Sequence, residues 1–417
     1  MYKMNEKDKE LNEVLEELAN NLDITDTEDA AIRESYNAVG EYLAKEGTLL
    51  DKYEVEIFPQ GSFNLGTIIR PIKEGDDLDI DLVCELKSKE PNWTQHDVKQ
   101  RVGDRLKESK RYRELLDEEG RRCWTLLYRD NAATTTQKYH MDILPSIVDK
   151  NYKTIVREMF SARELSESDY DKAAIRITDK ESPDYKTSPL PLTWLKSNPF
   201  GYARWFELQQ QKGNTGDMRL FTRDDVNPLP AKRKSKTTLQ RVVQLLKRHR
   251  DIHYGGDDDK PISIIITTLA AKAYDGEKDL VVAFRNVVAK MRNNIETRME
   301  NGKEVKWVPN PVNSQENFAD KWPETPRKQR IFYEWLDQLE ANIQNIASSS
   351  DRLLLERHFS DSFGKDMSHK TFAALAKRKL EERKSGNLRM GAAGVLSSVG
   401  STVVAAGHNF FGGEDDE

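Results

Sequence analysis

Cysteine is scarce in this chain: Cys84 and Cys123 are the two thiols in 417 residues. Two thiols cannot supply a disulfide framework for a chain of this size, so a reducing compartment is expected. Long apolar runs are missing too. No stretch reaches the roughly 18 strongly apolar residues of a membrane-spanning helix, so no membrane span is expected. The first residues, Met1-Tyr2-Lys3-Met4-Asn5-Glu6, are charged and lack the apolar centre of a signal peptide, which points to the cytoplasm. A positive balance is also absent. Lys and Arg number 65 against 71 Asp and Glu, a net charge of −6, which argues against a protein that coats nucleic acid. This low net charge, with 37% apolar residues, excludes disorder of the whole chain. The length allows two or three packed layers, or two intimate domains. There is no internal repeat.

What is present begins with helical spacing. Leu11, Val14, Leu15, Leu18 and Leu22 form one apolar face. Thr25 and Glu28 form a capping box for a second helix, with Ile32, Tyr36, Val39 and Leu43 as its buried stripe and Gly47 as its stop. Alternation then predicts strands at 53–58, 78–86, 124–128 and 139–147, in a mostly antiparallel or mixed sheet. Residues 94–119 are highly charged with a weak helical period. The proline-rich stretch 181–201 reads as an irregular crossing that ends in Asn198-Pro199, a helix start. Beyond residue 236 the pattern is helical. Leu239, Val242, Val243 and Leu246 form one face, Pro261 opens an apolar helix through Ala273, and further helices are expected at 279–296, 327–346, 351–357 and 368–384. Residues 386–413 are rich in Gly, Ala, Ser and Val and precede Glu414-Asp415-Asp416-Glu417, a composition expected to be poorly ordered alone.

The chemistry concentrates in Gln60-Gly61-Ser62-Phe63-Asn64-Leu65-Gly66-Thr67-Ile68-Ile69-Arg70-Pro71, followed by Asp77-Leu78-Asp79-Ile80-Asp81-Leu82-Val83. A Gly-Ser turn after a strand exposes backbone N–H groups and a hydroxyl, which suits a phosphate, and Gly61 permits close approach. Asp79 and Asp81, two apart on a strand, point to one side. Like charges so placed call for a cation between them, and hard divalent ions take carboxylates together with substrate phosphates. Asp142, in Tyr139-His140-Met141-Asp142-Ile143-Leu144-Pro145, offers a third carboxylate from a later strand. Asp77-Leu78-Asp79 also satisfies Asp-x-Asp. The residues alone leave both pairs open, with Asp77 sharing the parity of 79 and 81 and Asp76 facing the other way; the continuation Leu82-Val83 favours 79/81 by the resemblance described next.

The order Gly-Ser, Asp-x-Asp, then a lone Asp resembles the DNA polymerase β-like nucleotidyltransferases. The fuller pattern, with Gly66-Thr67, Arg70-Pro71, Leu195 to Tyr202, Val243 to Asp251 and Lys260 to Thr267, is similar to the bacterial nucleotidyltransferases related to cyclic GMP-AMP synthase, the cGAS/DncV-like (CD-NTase) family. The resemblance covers about residues 10–385. It implies an α/β (α+β) fold, in which a polymerase β-like core sheet packs against a helical, oligoadenylate-synthase-like C-terminal domain. It also implies two metal ions, Mg²⁺ with Mn²⁺ as substitute, held by Asp79, Asp81 and Asp142. Gly61, Ser62, Lys247 and Ser263 would bind nucleotide. The implied reaction makes a cyclic di- or trinucleotide second messenger from ribonucleoside triphosphates, releasing pyrophosphate, in anti-phage defence. A regulatory accessory protein at the C-terminal tail, with trimming near Gly412-Gly413, is a further implication.

The expected organisation is 1–50, N-terminal helices spanning both lobes; 51–230, the nucleotidyltransferase core and crossover; 231–385, a helical domain; and 386–417, the tail. Two other functions fit the same residues: a linear or terminal nucleotidyltransferase, and a catalytically silent nucleic-acid or ligand sensor. Lys247, near a helix end, and Ser263, in a first helical turn, also have plain structural readings. His140 is expected to pack or hydrogen-bond rather than bind metal, and Trp205 and Phe206 to lie in the core. The basic clusters 232–236, 247–250 and 377–384 leave activation by DNA or RNA open. Flanking acids favour solvated helix faces for them, with 232–236 the best exception.

Overall fold

The computed structural model describes residues 4–72, 78–128, 138–148, 158–159, 165–212 and 236–385, together with the short strands 389–390, 396–397 and 402–403. Asp76, Asp77, the run 232–235 and the rest of the tail lie outside the described residues. Six strands form one mixed sheet: β1 (Val55–Gln60), β2 (Leu78–Leu86), β3 (Trp124–Tyr128), β4 (Tyr139–Ile147), β5 (Ile175–Ile177) and β6 (Leu195–Ser197). Their order is β1-β2-β4-β5-β6, with β3 also pairing β4. β2 and β4 run parallel at its centre, and the other pairs are antiparallel.

Side-chain alternation gives this sheet two different faces. Ile80, Leu82 and Cys84 of β2, with Met141 and Ile143 of β4, join a core with Ile32, Tyr36 and Val39 of the helix Asp26–Leu43 and Val98, Val102 and Leu106 of the helix Gln95–Glu108. The opposite face contributes Phe58, Val83 and Leu144 to a larger core. That core is filled by Phe200 and Phe206 of the helix Pro199–Gln211 and by apolar faces of Thr238–Tyr254, Ser263–Ala273, Leu280–Met291, Pro326–Ser348, Arg352–Phe363 and Lys365–Lys384. Asp79, Asp81 and Asp142 share this second face with Val83 and Leu144.

Local signals account for most element ends. The capping box at Thr25 and Glu28 forms, and a second, Asn5 with Asp8, opens the helix Glu6–Asn21. Asn198 caps the helix that Pro199 begins. Three boundaries differ most from the sequence reading. The helix from Asp26 ends at Leu43, before Gly47, whose φ of +72° turns the chain later. The helix expected over 279–296 stops at Met291, because Glu296–Glu300 and Lys303–Trp307 pair as a hairpin around Asn301-Gly302, both at positive φ. The helix expected over 351–357 continues to Phe363.

The first two helices divide between the two cores. Glu6–Asn21 packs on Lys365–Lys384 and Leu280–Met291, whereas Asp26–Leu43 packs on β1 and Gln95–Glu108. Asp23, in the turn between them, ties the halves together. It accepts from Lys236 Nζ at 2.8 Å, Arg241 at 2.8 Å and Gln244 Nε2 at 2.9 Å. Lost hydration would raise its pKa, but these two cations and the amide hold it below the ordinary carboxylate value.

Asp23→Ala leaves Arg241 without its carboxylate partner. Breaking a buried pair costs about 3–5 kcal/mol and an exposed one about 1. At this partly exposed site a loss of about 1–3 kcal/mol in urea unfolding is expected. A folded pKa below the ordinary 3.8 means that this contribution is intact above that value and fades as pH falls through the folded pKa. The difference between wild type and variant should therefore shrink in acid.

Candidate active site

The site starts where β1 ends. Gly61 adopts φ +66° and begins a short helix, Gly61–Leu65, directly after the strand. The positive φ favours glycine, and so does space: an added Cβ would fall inside the Asp81 carboxylate. Gln60 pairs in register with Asp81, so this turn lies against β2 where its acidic residues emerge. Asp81 is in turn the register partner of Asp142 on β4, and Asp79 is the partner of His140.

Each carboxylate is restrained differently. Asp142 Oδ1 accepts from Thr125 Oγ1 on β3 at 2.6 Å. Asp79 Oδ1 lies 2.5 Å from His140 Nε2. Asp81 sits half-buried behind Gly61. Lost hydration, then repulsion from Asp142 and Asp79, pushes its pKa up to about 7. Lost hydration would also raise Asp79, but the bond and charge of His140, followed by Lys247 and Lys260, hold it below the ordinary value.

A cleft of about 540 Å³ opens over these groups. Gly61, Ser62, Asp79 and Asp81 lie on its sheet side; Lys247 and Ser263 lie on its helical side. Asp142 adjoins it through Asp81 and is not part of its lining. The sequence reading missed several lining groups. Arg250 lies three residues from Lys247, on the same face of its helix, and Lys260 directly precedes Pro261. Arg70 and Thr67 come from the segment after the Gly-Ser turn.

The cluster 247–250 is corrected by the structure. These residues do not form a solvated face: Lys247, Arg248, His249 and Arg250 are all buried. Lys247 Nζ donates to the Thr67 carbonyl at 3.0 Å, and Arg248 donates to the Arg70 carbonyl at 2.5 Å. Arg250 donates to the Pro261 carbonyl and to Ser263 Oγ at 2.9 Å. Upstream on the helix, Gln240 reaches the Leu65 carbonyl and Gln244 the Ile68 carbonyl. One helix therefore grips the backbone of 65–70 through four side chains, Gln240, Gln244, Lys247 and Arg248. His249 faces elsewhere; it accepts from Trp335 Nε1 at 3.0 Å, and burial followed by the neighbouring His253 pushes its pKa down to about 3. Burial, then Arg250, lowers Lys247 to about 8. In contrast, 377–384 is largely exposed, as expected of a solvated face. Trp205 and Phe206 are core residues, and both cysteines are free thiols.

Among the described residues, no three acidic, histidine or cysteine side chains stand ready-assembled as a metal cage. Mutual repulsion is a sufficient physical reason for three carboxylates to stay apart without a cation. Their chemistry nonetheless fits a hard divalent ion, because its charge would relieve the repulsion that raises Asp81.

The raised pKa of Asp81 has a consequence for stability. Ionising this carboxyl is harder in the folded protein, so the protein loses stability as pH rises from 3.8 to about 7, and the loss levels off above that. In metal-free buffer Asp81→Asn should be at least as stable as wild type at pH 8, and its stability should vary less between pH 4 and 7. Denaturant titrations at pH 5 and 8 in the presence of a chelator measure both quantities.

The family described as Second Messenger Oligonucleotide or Dinucleotide Synthetase domain matches residues 10–161. A c-di-GMP synthase of Roseivirga ehrenbergii is 27% identical over 97% of this chain and 97% of its own length. The cyclic dinucleotide synthase CdnG of Bradyrhizobium diazoefficiens is 25% identical over 95% of this chain and 91% of its own. The solved structure of that CD-NTase, in complex with GTP, superposes with a TM-score of 0.59 at 20% identity, covering 88% of this chain and 99% of the other. Among the described residues no helix is long and apolar enough to cross a membrane. With its mixed sheet and its helical C-terminal region the chain has the fold of that CD-NTase, and it is similar over nearly its whole length to the two cyclic dinucleotide synthases.

Proposed function

We propose that this protein is a nucleotidyltransferase that joins two ribonucleoside triphosphates into a cyclic dinucleotide. The observation that carries the reading is the cleft itself, with Asp79 and Asp81 of β2 on one wall and Arg70, Lys247, Arg250 and Lys260 on the others. A triphosphate complements those cations, and the carboxylates suit the divalent ion that accompanies it. Two curated relatives named as cyclic dinucleotide synthases support the product class, and one of them, a c-di-GMP synthase, makes GTP the first substrate to try. The cytoplasm is the setting that supplies such substrates, and a role in anti-phage signalling extends the family reading.

In the proposed reaction a ribose hydroxyl of the acceptor attacks the donor α-phosphorus. The new O–P bond forms as the bond to the β-phosphate oxygen breaks, and pyrophosphate leaves. Ser62 and the Gly61 turn cradle donor phosphate with hydroxyl and backbone N–H groups. Lys247 and Arg250 neutralise phosphate charge from the helical side, and Ser263 is oriented by its bond from Arg250. Asp142 offers its second carboxylate oxygen to the hydroxyl proton, while Thr125 holds the first. Asp79 and Asp81 with Asp142 would hold two Mg²⁺ ions. Such ions, when bound, acidify the attacking hydroxyl and stabilise the leaving pyrophosphate. A second transfer closes the ring, and a regulatory protein at the tail remains part of the proposal.

Mass spectrometry of the product from all four ribonucleoside triphosphates with Mg²⁺ tests the function. A phosphatase-resistant cyclic dinucleotide is expected. A ladder of 5′-triphosphate oligomers would identify a linear synthase, and a phosphatase-resistant trinucleotide would change the ring size.

Lys247 gives a pH signature. Its ammonium is the form that binds phosphate, and with a pKa of about 8 that form is lost as pH rises through this value. Triphosphate affinity in calorimetry should weaken about tenfold between pH 7 and 9, the scale of one charged hydrogen bond. Lys247→Met should start weaker and lose most of that dependence.

A further inference from the structure

We propose that His140 is a positioning residue that holds Asp79 back from a divalent cation until nucleotide arrives. The inference rests on Asp79 being a cation ligand, as argued above, and concerns how that ligand is restrained. β2 and β4 run parallel and in register, so His140 faces Asp79 just as Asp142 faces Asp81. The imidazole therefore emerges on the sheet face that carries the three carboxylates. Its Nε2 lies 2.5 Å from Asp79 Oδ1, a short contact of the kind made when an ionised group accepts a hydrogen bond.

The other two carboxylates are restrained in ways that leave this one as the adjustable member. Asp142 is fixed by Thr125, which itself lies in register with it on β3. Asp81 is confined behind Gly61. The Asp79 side chain is 71% exposed to the cleft, so little packing resists its rotation once the imidazole releases it. The oxygen that accepts from His140 cannot give the same lone pair to a cation, and an N–H dipole pointing at that oxygen repels an approaching positive ion.

A divalent ion arriving alone must break this bond with only two carboxylates drawing it in. An ion arriving with a triphosphate brings anionic oxygens of its own, and the cleft cations hold those oxygens in place. The pair therefore couples cation binding to nucleotide binding, and the coupling is reciprocal. Nothing in the motif spacing announces it, because it arises from strand register alone.

Mn²⁺ binding to the full chain without nucleotide, followed through the paramagnetic resonance signal of free Mn²⁺, tests the proposal. His140→Leu should bind Mn²⁺ about tenfold more tightly than wild type, the scale of removing one charge-assisted hydrogen bond. His140→Gln, whose amide reaches the position of Nε2, should stay close to wild type. His140→Asn, whose amide is too short, should follow His140→Leu and serves if the leucine variant folds poorly. Adding a non-hydrolysable GTP analogue should narrow the difference between wild type and His140→Leu. In an Asp79→Asn background the histidine change should have no effect. Equal or weaker Mn²⁺ binding by His140→Leu and His140→Asn would overturn the proposal while leaving Asp79 as a ligand. Mn²⁺ binding that Asp79→Asn leaves unaltered would overturn the ligand assignment itself.

Discussion

The architecture turns on a set of hydrogen bonds between one helix and one stretch of bare backbone. Gln240, Gln244, Lys247 and Arg248 of Thr238–Tyr254 donate to the carbonyls of Leu65, Ile68, Thr67 and Arg70. The segment 66–70 belongs to neither a helix nor a strand, so its carbonyls have no regular ladder to satisfy them and need side-chain donors. Meeting that need brings the cationic helix over the Gly-Ser turn. The cleft, with acid on the sheet and base on the helix, follows from this contact. Asp23 reinforces it by holding Arg241 and Gln244 of the same helix.

The grip also explains residues that sequence reading could only treat as pattern. Gly66 adopts φ +69°, and a side chain there would collide with the Gln240 amide. Arg70 donates its backbone N–H to Leu22 and forms an ion pair with Glu28 at 3.4 Å, so the segment is anchored to both N-terminal helices as well. Thr67 lines the cleft with a buried hydroxyl beside the carbonyl that Lys247 holds. Cleft lining and the contact between the two cores share Thr67, Arg70 and Lys247, so a ligand placed in the cleft would touch that contact.

Much of this could be read from the chain, because the informative signals are local. Alternation from Leu78 to Leu86 places Asp79 and Asp81 on one side, and the structure keeps them there. The cap at Thr25 and the Asn198-Pro199 helix start depend on neighbours in sequence and formed where expected. The run 247–250 was misread for the complementary reason. A basic stretch on a helix looks solvated unless its partners are known, and the Thr67 carbonyl lies 180 residues from Lys247. The bond from Thr125 to Asp142 and the pairing of His140 with Asp79 were likewise hidden, since both depend on strand register. The hairpin after Met291 was legible in Asn301-Gly302, but a charged segment following a strong helix reads as more helix.

The central claim is that the acidic strand β2 carries nucleotidyl transfer. Pyrophosphate release from ribonucleoside triphosphates, compared between wild type and a folded Asp79→Ala/Asp81→Ala variant, tests it most directly. The account predicts sustained release by wild type in Mg²⁺ or Mn²⁺ and a fall of at least about a hundredfold in the variant, the scale of removing preorganised electrostatic groups. Release that survives the double substitution would contradict it.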